Sequence, residues 1–352
     1  MKLLTIVGAR PQFIKAAALS RELRKKHDEV IVHTGQHYDD NMSKVFFKEL
    51  EIPQADYNLG IGSNSHGAQT GAMLEQIEVV LHKEKPDRVI VFGDTNSTLA
   101  GALAAAKMHI PVAHIEAGLR SFNRIMPEEI NRVVTDHLSD ILLCPSRTAV
   151  TNLQKEGILI GVYEVGDIML DALLFAKDKA KRSVKILERL KIEKKRYILA
   201  TLHRAENTDN RKRLGSILRA FLNSNEIIVF PLHPRTKKMI KLFCMESLLG
   251  KNVKIIEPVG YLDMVWLEQN ARMILTDSGG IQKEAYWLKI PCITLRDETE
   301  WVETVTSGWN VLTGANNSKM LSNIANFILP QEHSSLYGDG QTAKKCCEKI
   351  ID

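Results

Sequence analysis

The sequence is poor in cysteine and has no long apolar run. Its five cysteines show no metal-type spacing, and the adjacent Cys346 and Cys347 make a poor ligand set. Their odd number argues against a disulfide framework and predicts reduced thiols in the cytoplasm. The apolar start ends at Gly8, too early for a signal peptide, and no stretch approaches the ~18 apolar residues of a membrane span. We therefore expect a cytoplasmic chain without a membrane partner.

The sequence also lacks a strong excess of charge of one sign. Its 352 residues carry a formal net charge of +5, with 44% hydrophobic and 25% charged residues, as in an ordinary globular protein. So small a surplus does not indicate a nucleic-acid partner, but it is compatible with an anionic small-molecule substrate. The Lys- and Arg-rich stretch 170–195 is interpreted as a solvated helix face rather than a nucleic-acid patch.

A third absence is the glycine-rich dinucleotide fingerprint. The first strand is followed by Gly8-Ala9-Arg10-Pro11 instead of Gly-x-Gly-x-x-Gly, so NAD binding is not expected and no cofactor is predicted. Pro11 suits the first turn of a helix, and Arg10 and Lys15 add two cations near its positive end. These residues alone leave two interpretations open, namely diphosphate binding and an ordinary helix cap with solvated charges.

What the sequence does contain is a repeated alternation of short apolar strands and amphipathic helices. Runs rich in Val, Ile and Leu predict strands at 3–7, 30–34, 88–92, 112–115, 141–144, 197–201, 227–230, 253–256, 273–276 and 292–295. Such alternation predicts an α/β fold with two Rossmann-like domains built on parallel sheets. We expect the first domain at 1–166 and the second at 167–337, with a helix at 338–352 packing back on the first.

A phosphate-type turn is predicted in the second half. Ser278-Gly279-Gly280 follows a strand and opens a helix, so its backbone N–H groups and the helix dipole favour an anion. Glu284 lies about one turn further, within reach of ribose hydroxyls. The alternative is a tight glycine turn without a ligand.

Three acidic residues follow strands or open helices in the first half. Asp94 could cap the next helix, and Glu128 could occupy a first helical turn for its dipole. Glu116 has no evident structural task between an apolar strand and Ala117-Gly118. We take all three as candidate acid/base groups.

Histidine gives one further candidate in the second half. His203 stands beside Arg204 at a strand's carboxyl end, where ligands of such sheets bind. His233 occupies a similar position with weaker support. No Cys/His spacing suggests a metal, and none is predicted.

Together these segments resemble the non-hydrolysing UDP-N-acetylglucosamine 2-epimerases, from Lys2 to about Val311 with a further match at 338–341. Seven motifs occur in the family's order: Gly8-Ala9-Arg10-Pro11-Gln12-Phe13-Ile14-Lys15, His33-Thr34-Gly35-Gln36-His37, Gly93-Asp94-Thr95, His114-Ile115-Glu116-Ala117-Gly118-Leu119-Arg120, Pro127-Glu128-Glu129, His203-Arg204-Ala205-Glu206-Asn207 and Thr276-Asp277-Ser278-Gly279-Gly280.

The resemblance implies a GT-B architecture, two Rossmann-like domains facing a central cleft, and a homodimer. It assigns the UDP diphosphate to a set of basic and turn residues: Arg10, Lys15, His203, Ser278, Gly279 and Gly280. It gives the ribose to Glu284 and the uracil to residues 258–264. Asp94, Glu116 and Glu128 match the family's catalytic carboxylates, and His203 its active-site histidine.

The resemblance also implies a reaction that needs several carboxylates. The C2–H bond of an amino sugar has no adjacent carbonyl, so direct deprotonation is unfavourable. Eliminating UDP across C1–C2 gives a 2-acetamidoglucal, and re-addition with a proton from the other face inverts C2. Cations stabilise the departing diphosphate, and two faces require at least two acid/base groups.

Two departures from the commoner family pattern concern substrate and regulation. Thr299-Glu300-Trp301-Val302-Glu303 and the Gln12 opening look more like the branch that acts on UDP-2,3-diacetamido-2,3-dideoxyglucuronate. Asp39 stands where regulated members tend to carry Gln, so the resemblance does not extend to their effector site.

Other function classes remain open at the level of sequence. A GT-B glycosyltransferase would share the fold and the UDP site, and a hydrolysing epimerase would release free UDP. A non-catalytic UDP-sugar sensor would need the phosphate turn but not the three carboxylates together.

Overall fold

The computed structural model describes residues 1–35 and 49–352, apart from the side chain of Arg10. Gln36, His37 and Asp39, which entered the sequence comparison, lie outside the described residues. The chain forms two compact units, one of Met1–Phe175 with Tyr337–Asp352 and one of Ala176–Leu336. The domain limits expected from the sequence stay a prediction.

The first unit contains a seven-stranded parallel sheet within the described residues. Its strands are β1 (Lys2–Val7), β2 (Asp28–His33), β3 (Tyr57–Asn58), β4 (Arg88–Phe92), β5 (Val112–Ile115), β6 (Ile141–Cys144) and β7 (Val162–Glu164). Their order is β3-β2-β1-β4-β5-β6-β7, and every pairing is parallel. This is the doubly wound order of a Rossmann-like sheet.

Helices cover the strands of this unit. They are α1 (Arg10–Leu23), α2 (His66–Glu84), α3 (Asn96–Lys107), α4 (Pro127–Leu138), α5 (Arg147–Lys155) and the first part of α6 (Ile168–Ser183), and the final helix of the chain (Thr342–Ile351) packs against α1. Helix α3 is rich in Ala and Gly, and these small residues let it pack on α2, on α4 and on the sheet. Thr95 caps it by accepting from the amide of Thr98 at 3.3 Å.

The second unit repeats the plan with six strands. They are β8 (Ile198–Thr201), β9 (Ile228–Pro231), β10 (Val253–Ile256), β11 (Met273–Thr276), β12 (Cys292–Thr294) and β13 (Asn310–Leu312), in the order β10-β9-β8-β11-β12-β13. Its helices are α7 (Ile186–Leu190), α8 (Ala205–Thr208), α9 (Arg211–Asn223), α10 (Pro234–Leu242), α11 (Tyr261–Asn270), α12 (Gly279–Trp287), α13 (Val302–Thr306) and α14 (Asn317–Asn326). Again every pairing is parallel.

Both sheets therefore confirm the predicted α/β class with two Rossmann-like domains. In each, the strand order reverses at the neighbouring central strands, β1 with β4 and β8 with β11. Ligands of such sheets bind where the order reverses, outside the carboxyl ends of the strands. The predicted site residues follow β1, β4 and β5 in one unit and β8 and β11 in the other.

The predicted helical stretch 170–195 is two helices. At Lys185 the backbone leaves the helical region, with φ −119° and ψ 25°, before α7 begins. The break lets Ile186 and Leu187 enter a buried cluster with Tyr197 and Leu199 beneath the second sheet. Burial of apolar side chains thus outweighs the helix propensity of the charged stretch.

No helix among the described residues combines the length and the apolar character needed to cross a bilayer.

Glycine packing in α3 gives a stability prediction. A Cβ on Gly101 would lie 2.6 Å from Ile6 Cδ1, so Gly101→Ala should lower the free energy of unfolding by about 1–3 kcal/mol. Gly71 in α2 has open space around its Cα, so the control Gly71→Ala should raise it by about 0.5–1 kcal/mol. Urea unfolding measures both variants, and a Gly101→Ala variant as stable as wild type would contradict the packing.

Candidate active site

Gln12 ties together the two loops at the reversal point of the first sheet. Its Oε1 accepts from the amides of Gly8 and Ala9 at 2.7 and 3.0 Å, and its Nε2 donates to the carbonyl of Phe92 at 2.7 Å. The loop after β1 is thereby fixed to the loop after β4. Arg10 begins α1 at this point, and its side chain lies outside the described part of the chain.

Lys15 and Glu116 form a buried ion pair beside this junction. Lys15 Nζ binds Glu116 Oε2, and both side chains are largely shielded from solvent. Burial lowers the pKa of Lys15, but the carboxylate of Glu116 outweighs it, so this pKa lies above its usual value. The site therefore holds a permanent cation against a carboxylate.

The backbone at Glu116 is strained. Its φ is +73°, a left-handed conformation that costs a non-glycine residue about 1–3 kcal/mol. The amides of Glu116 and Ala117 both donate to the carbonyl of Leu143, at 3.0 and 3.2 Å, which holds the turn in place. Such strain is typical of functional positions and fixes the direction of this carboxylate.

Asp94 takes part in a second charged cluster. Arg132 binds Asp94 with one nitrogen and donates to Glu129 Oε2 at 2.7 Å with another. Glu129 also accepts from the amides of Ser121 and Phe122, both at 2.9 Å. Burial raises the pKa of Glu129, but these bonds outweigh it and hold the pKa below its usual value.

The two clusters influence each other. Asp94 contributes to the raised pKa of Lys15, and Glu116 contributes to the raised pKa of Arg132, after the burial that opposes both shifts. The structure thus brings Asp94 and Glu116 together around shared cations. Glu128 lies exposed in the first turn of α4, and its side chain makes no hydrogen bond or ion pair with any other described residue.

In the second unit, Asp277 organises the loops after β8 and β11. Its buried carboxylate accepts from the amide of His203 at 3.1 Å and from the amide of Arg204 at 2.9 Å. His203 Nδ1 lies 3.2 Å from Asp277 Oδ1, which leaves Nε2 of the ring for a ligand. Burial raises the pKa of Asp277, but His203 outweighs it, so the pKa lies below its usual value.

The predicted phosphate turn begins α12. Ser278 caps the helix, and Gly279 and Gly280 are its first two residues. Unpaired N–H groups at this amino terminus favour an anion. A Cβ on Gly279 would lie 2.5 Å from Glu300 Oε1, so a larger residue there would have to displace the Glu300 side chain, whereas a Cβ on Gly280 would meet only Ser278 Oγ at 3.9 Å. The turn can therefore admit a phosphate at Gly280 while Gly279 packs against the following loop.

Glu284 lies buried in α12 and accepts from the hydroxyl of Tyr261 at 2.8 Å. Tyr261 belongs to the segment 258–264 that the resemblance assigns to the uracil. Further along α11, the helix that carries Tyr261, Glu268 is fully buried, and burial followed by the charge of Glu284 raises its pKa well above the usual value. This shift favours the neutral acid form of Glu268.

Sequence reasoning missed the residues that hold the site together, Gln12, Arg132, Asp277 and Tyr261. Gln12 and Asp277 lie within quoted motifs, and Arg132 and Tyr261 lie near or within segments that the resemblance covers. The partner of each is 23 to 80 residues away in the chain. Only the strand order shows that these partners meet. In the described part of the chain, no three His, Cys, Asp or Glu side chains cluster as a metal site.

The fold and these groups define a class, an α/β protein with two doubly wound sheets, a phosphate-type turn in one unit and paired carboxylates in the other. A family model described as UDP-N-acetylglucosamine 2-epimerase matches residues 21–351. The chain therefore belongs to the UDP-N-acetylglucosamine 2-epimerase family, a family of isomerases, as the motifs indicated.

Three similar proteins cover almost the whole chain. The UDP-N-acetylglucosamine 2-epimerase homolog of Methanococcus maripaludis is 58% identical over 99% of each chain. The UDP-2,3-diacetamido-2,3-dideoxy-D-glucuronate 2-epimerase of Pseudomonas aeruginosa is 51% identical over 99% of each. The crystal structure of Methanocaldococcus jannaschii UDP-GlcNAc 2-epimerase with UDP-GlcNAc and UDP matches with a TM-score of 0.87 and 48% identity, over 100% of this chain and 99% of that one.

The role of Asp277 gives a prediction on acid stability. Because its pKa is lower in the folded chain, its stabilisation is present above the unfolded value of about 3.9 and is lost as the pH falls through the folded value. Asp277→Asn should therefore lower the free energy of unfolding at pH 7 by about 1.5–3 kcal/mol. It should also flatten the loss of stability below about pH 4.

Urea unfolding across a pH series measures both effects. Asp178→Asn is the matched control, because Asp178 is exposed on α6 and its side chain has no hydrogen bond or ion pair with a described residue. An Asp277→Asn variant with the acid profile of wild type would contradict the assignment.

Proposed function

We propose that this chain inverts C2 of a UDP-linked 2-acetamido sugar, of the UDP-N-acetylglucosamine to UDP-N-acetylmannosamine type. The observation that carries the proposal is the pair Asp94 and Glu116, two carboxylates bound to basic side chains after neighbouring strands. Inverting a carbon through elimination needs acid/base groups held among cations. Family membership and the match to a structure that contains UDP-GlcNAc support the substrate class.

The nucleotide-binding residues of each unit are proposed from the family motifs. In the second unit, His203 and the turn Ser278-Gly279-Gly280 bind the diphosphate, and Glu284 accepts from the ribose hydroxyls. In the first unit, the motifs assign Lys15 and Arg10 to phosphate binding. His203 suits this role because Asp277 holds its Nδ1, so that Nε2 can donate to a phosphate oxygen when the ring is protonated.

The reaction balances without a cofactor. A base takes the C2 proton, and the electrons of the C2–H bond form the C1=C2 bond. The C1–O bond breaks, and UDP leaves with the electrons of the C1–O bond. UDP oxygen then returns to C1 while an acid protonates C2 on the opposite face. The carboxylates also stabilise the oxocarbenium-like charge that develops at C1.

Asp94, Glu116 and Glu128 are proposed as the groups that act at C1 and C2. Glu116 is fixed by its strained backbone and by Lys15. Asp94 is fixed by Arg132. Glu128 sits exposed at the start of α4, and its carboxylate is free to meet a substrate.

One relative supports a second candidate substrate. The Pseudomonas aeruginosa protein at 51% identity is named for a UDP-2,3-diacetamido-2,3-dideoxy sugar acid. The sequence at 299–303 favours that branch, whereas Methanocaldococcus jannaschii UDP-N-acetylglucosamine 2-epimerase is 49% identical. The same elimination at C2 serves either substrate.

We propose that the chain works as a cytoplasmic homodimer whose product is consumed by glycosyl transfer into a polysaccharide. All five cysteines are free thiols, which suits a reducing compartment.

The loop before α4 and the outer face of α4 expose a set of large apolar side chains. This apolar face consists of Phe122, Ile125, Met126, Ile130 and Val134. Such a face is expected to be covered by a second copy of the chain.

Turnover in D₂O tests the reaction. The chain is incubated separately with UDP-N-acetylglucosamine and the diacetamido-glucuronate, and NMR reads configuration and deuterium at C2. We expect inversion of one substrate with deuterium at C2. Glu116→Gln should lower kcat by about 10²–10⁴-fold, since an acid/base group is lost.

Glu75→Gln is the matched control, since Glu75 is exposed on α2 and its side chain has no charged or hydrogen-bonded partner among described residues. An inverted product that keeps its C2 hydrogen would exclude elimination. Glu116→Gln with normal turnover would remove Glu116 from the catalytic set.

The apolar face gives a prediction on assembly. Ile130→Glu with Val134→Glu should convert the dimer to a monomer, because two charges would be buried in the interface. Ile328→Glu is the control, at an exposed apolar residue of the second unit. Sedimentation velocity at micromolar concentration measures the mass, and a monomeric wild-type chain would contradict the proposal.

A further inference from the structure

His114 is a buried histidine that the proposed reaction does not use. It lies on β5, two residues before Glu116, and is fully shielded from solvent. Its Nδ1 is 2.7 Å from Asp136 Oδ1, and its Nε2 is 2.7 Å from the carbonyl oxygen of Gly93. A backbone carbonyl can only accept a hydrogen bond, so Nε2 carries a proton.

Asp136 also acts as an acceptor. Besides His114, its carboxylate accepts from the amide of Gly118 at 3.1 Å and from Arg120 Nη1 at 2.7 Å. The guanidinium of Arg120 and the amide of Gly118 both donate to this carboxyl group, which favours its ionised form independently of His114. An ionised Asp136 has no proton to donate, so Nδ1 of His114 must carry one as well.

We infer that His114 is a buried imidazolium, donating from both ring nitrogens, that positions the two loops bearing Asp94 and Glu116. The positioning half of this inference rests on the proposed function, and the protonation half does not. A neutral histidine would leave two acceptors facing each other across one ring nitrogen, which is costly without solvent.

The positioning follows from what the ring holds. Gly93 is bound on both sides, since its amide donates to Ile115 O at 3.0 Å and its carbonyl accepts from His114. A Cβ on Gly93 would lie only 3.2 Å from Glu116 Oε2, so this peptide packs directly against the ion pair of Lys15 and Glu116. Asp94 is the next residue in the chain.

The same network also holds the other side of Glu116. Asp136 binds the amide of Gly118, two residues beyond Glu116, and binds His114 on the strand before it. The charges alternate along the network, from His114 through Asp136 and Arg120 to Glu156, which Arg120 binds at 2.6 Å. The thiol of Cys144 also faces this group, and burial followed by Asp136 raises its pKa. The neighbouring carboxylates offset part of the desolvation cost of a cation in the core.

NMR of the ¹⁵N-histidine-labelled full chain tests the protonation. At about pH 8, where an exposed histidine is neutral, one ring should show a proton bound to each nitrogen. That signal should be absent from His114→Gln. A His114 ring with only one bound proton at this pH would overturn the inference, whether or not the chain epimerises a sugar.

Steady-state kinetics test the positioning. His114→Gln should lower kcat by about 10²-fold with KM changed less than about threefold, because misplaced carboxylates impair the chemical step rather than substrate binding. His137→Gln is the matched control, since His137 is exposed on α4 and its ring bonds only to Val133 O of its own helix. Wild-type kcat in His114→Gln would overturn the positioning role.

Asp136→Asn serves if His114→Gln fails to fold. The amide cannot stabilise an imidazolium, so one ring proton of His114 should be lost at about pH 8, with a similar fall in kcat. Retention of both ring protons in a folded Asp136→Asn would overturn the argument from acceptors. An inactive wild-type chain with both ring protons would refute the proposed function and with it the positioning, while the protonation would stand.

Discussion

The ion pair of Lys15 and Glu116 is the interaction on which the first unit's site depends. Neither charge could remain in so shielded a place alone, because desolvation would favour its neutral form. As a pair, both groups can stay charged at the carboxyl-terminal edge of the first sheet. Gln12 anchors the helix that carries Lys15, and Leu143 holds the turn that carries Glu116, so the pair is fixed from both sides.

Each unit solves the same problem with one buried polar side chain. The loops after the two central strands must be held together at the reversal point, where no ladder hydrogen bonds reach. In the first unit, Gln12 accepts from two amides of its own loop and donates to the carbonyl of Phe92 in the other loop. In the second unit, Asp277 accepts from two amides of the neighbouring loop. The chemistry differs because Asp277 also fixes His203, the histidine proposed to bind the diphosphate, whereas Gln12 fixes only backbone and hydroxyls.

Residue patterns predicted most strands of the two sheets, but they did not predict the shortest ones. The strands Tyr57–Asn58, Val162–Glu164 and Asn310–Leu312 are two or three residues long, and no apolar run of that length stands out from a loop. They exist because a neighbouring strand offers an edge to pair with. The two helices within 168–190 likewise follow from burial beneath a sheet, which local propensity does not contain.

The sequence by itself determined the alternation of strands and helices, the family, and the candidate residues, because periodicity and motif order are local properties of a chain. It also singled out Glu116 as a carboxylate without a structural task. The tertiary structure decided which of these groups form ion pairs and hydrogen bonds with each other. Strand order alone brings Lys15 to Glu116 and Asp94 to Arg132, partners about 100 and 40 residues apart, and closes His114 between two acceptors. Such pairing depends on which strands are neighbours, and no local pattern encodes that.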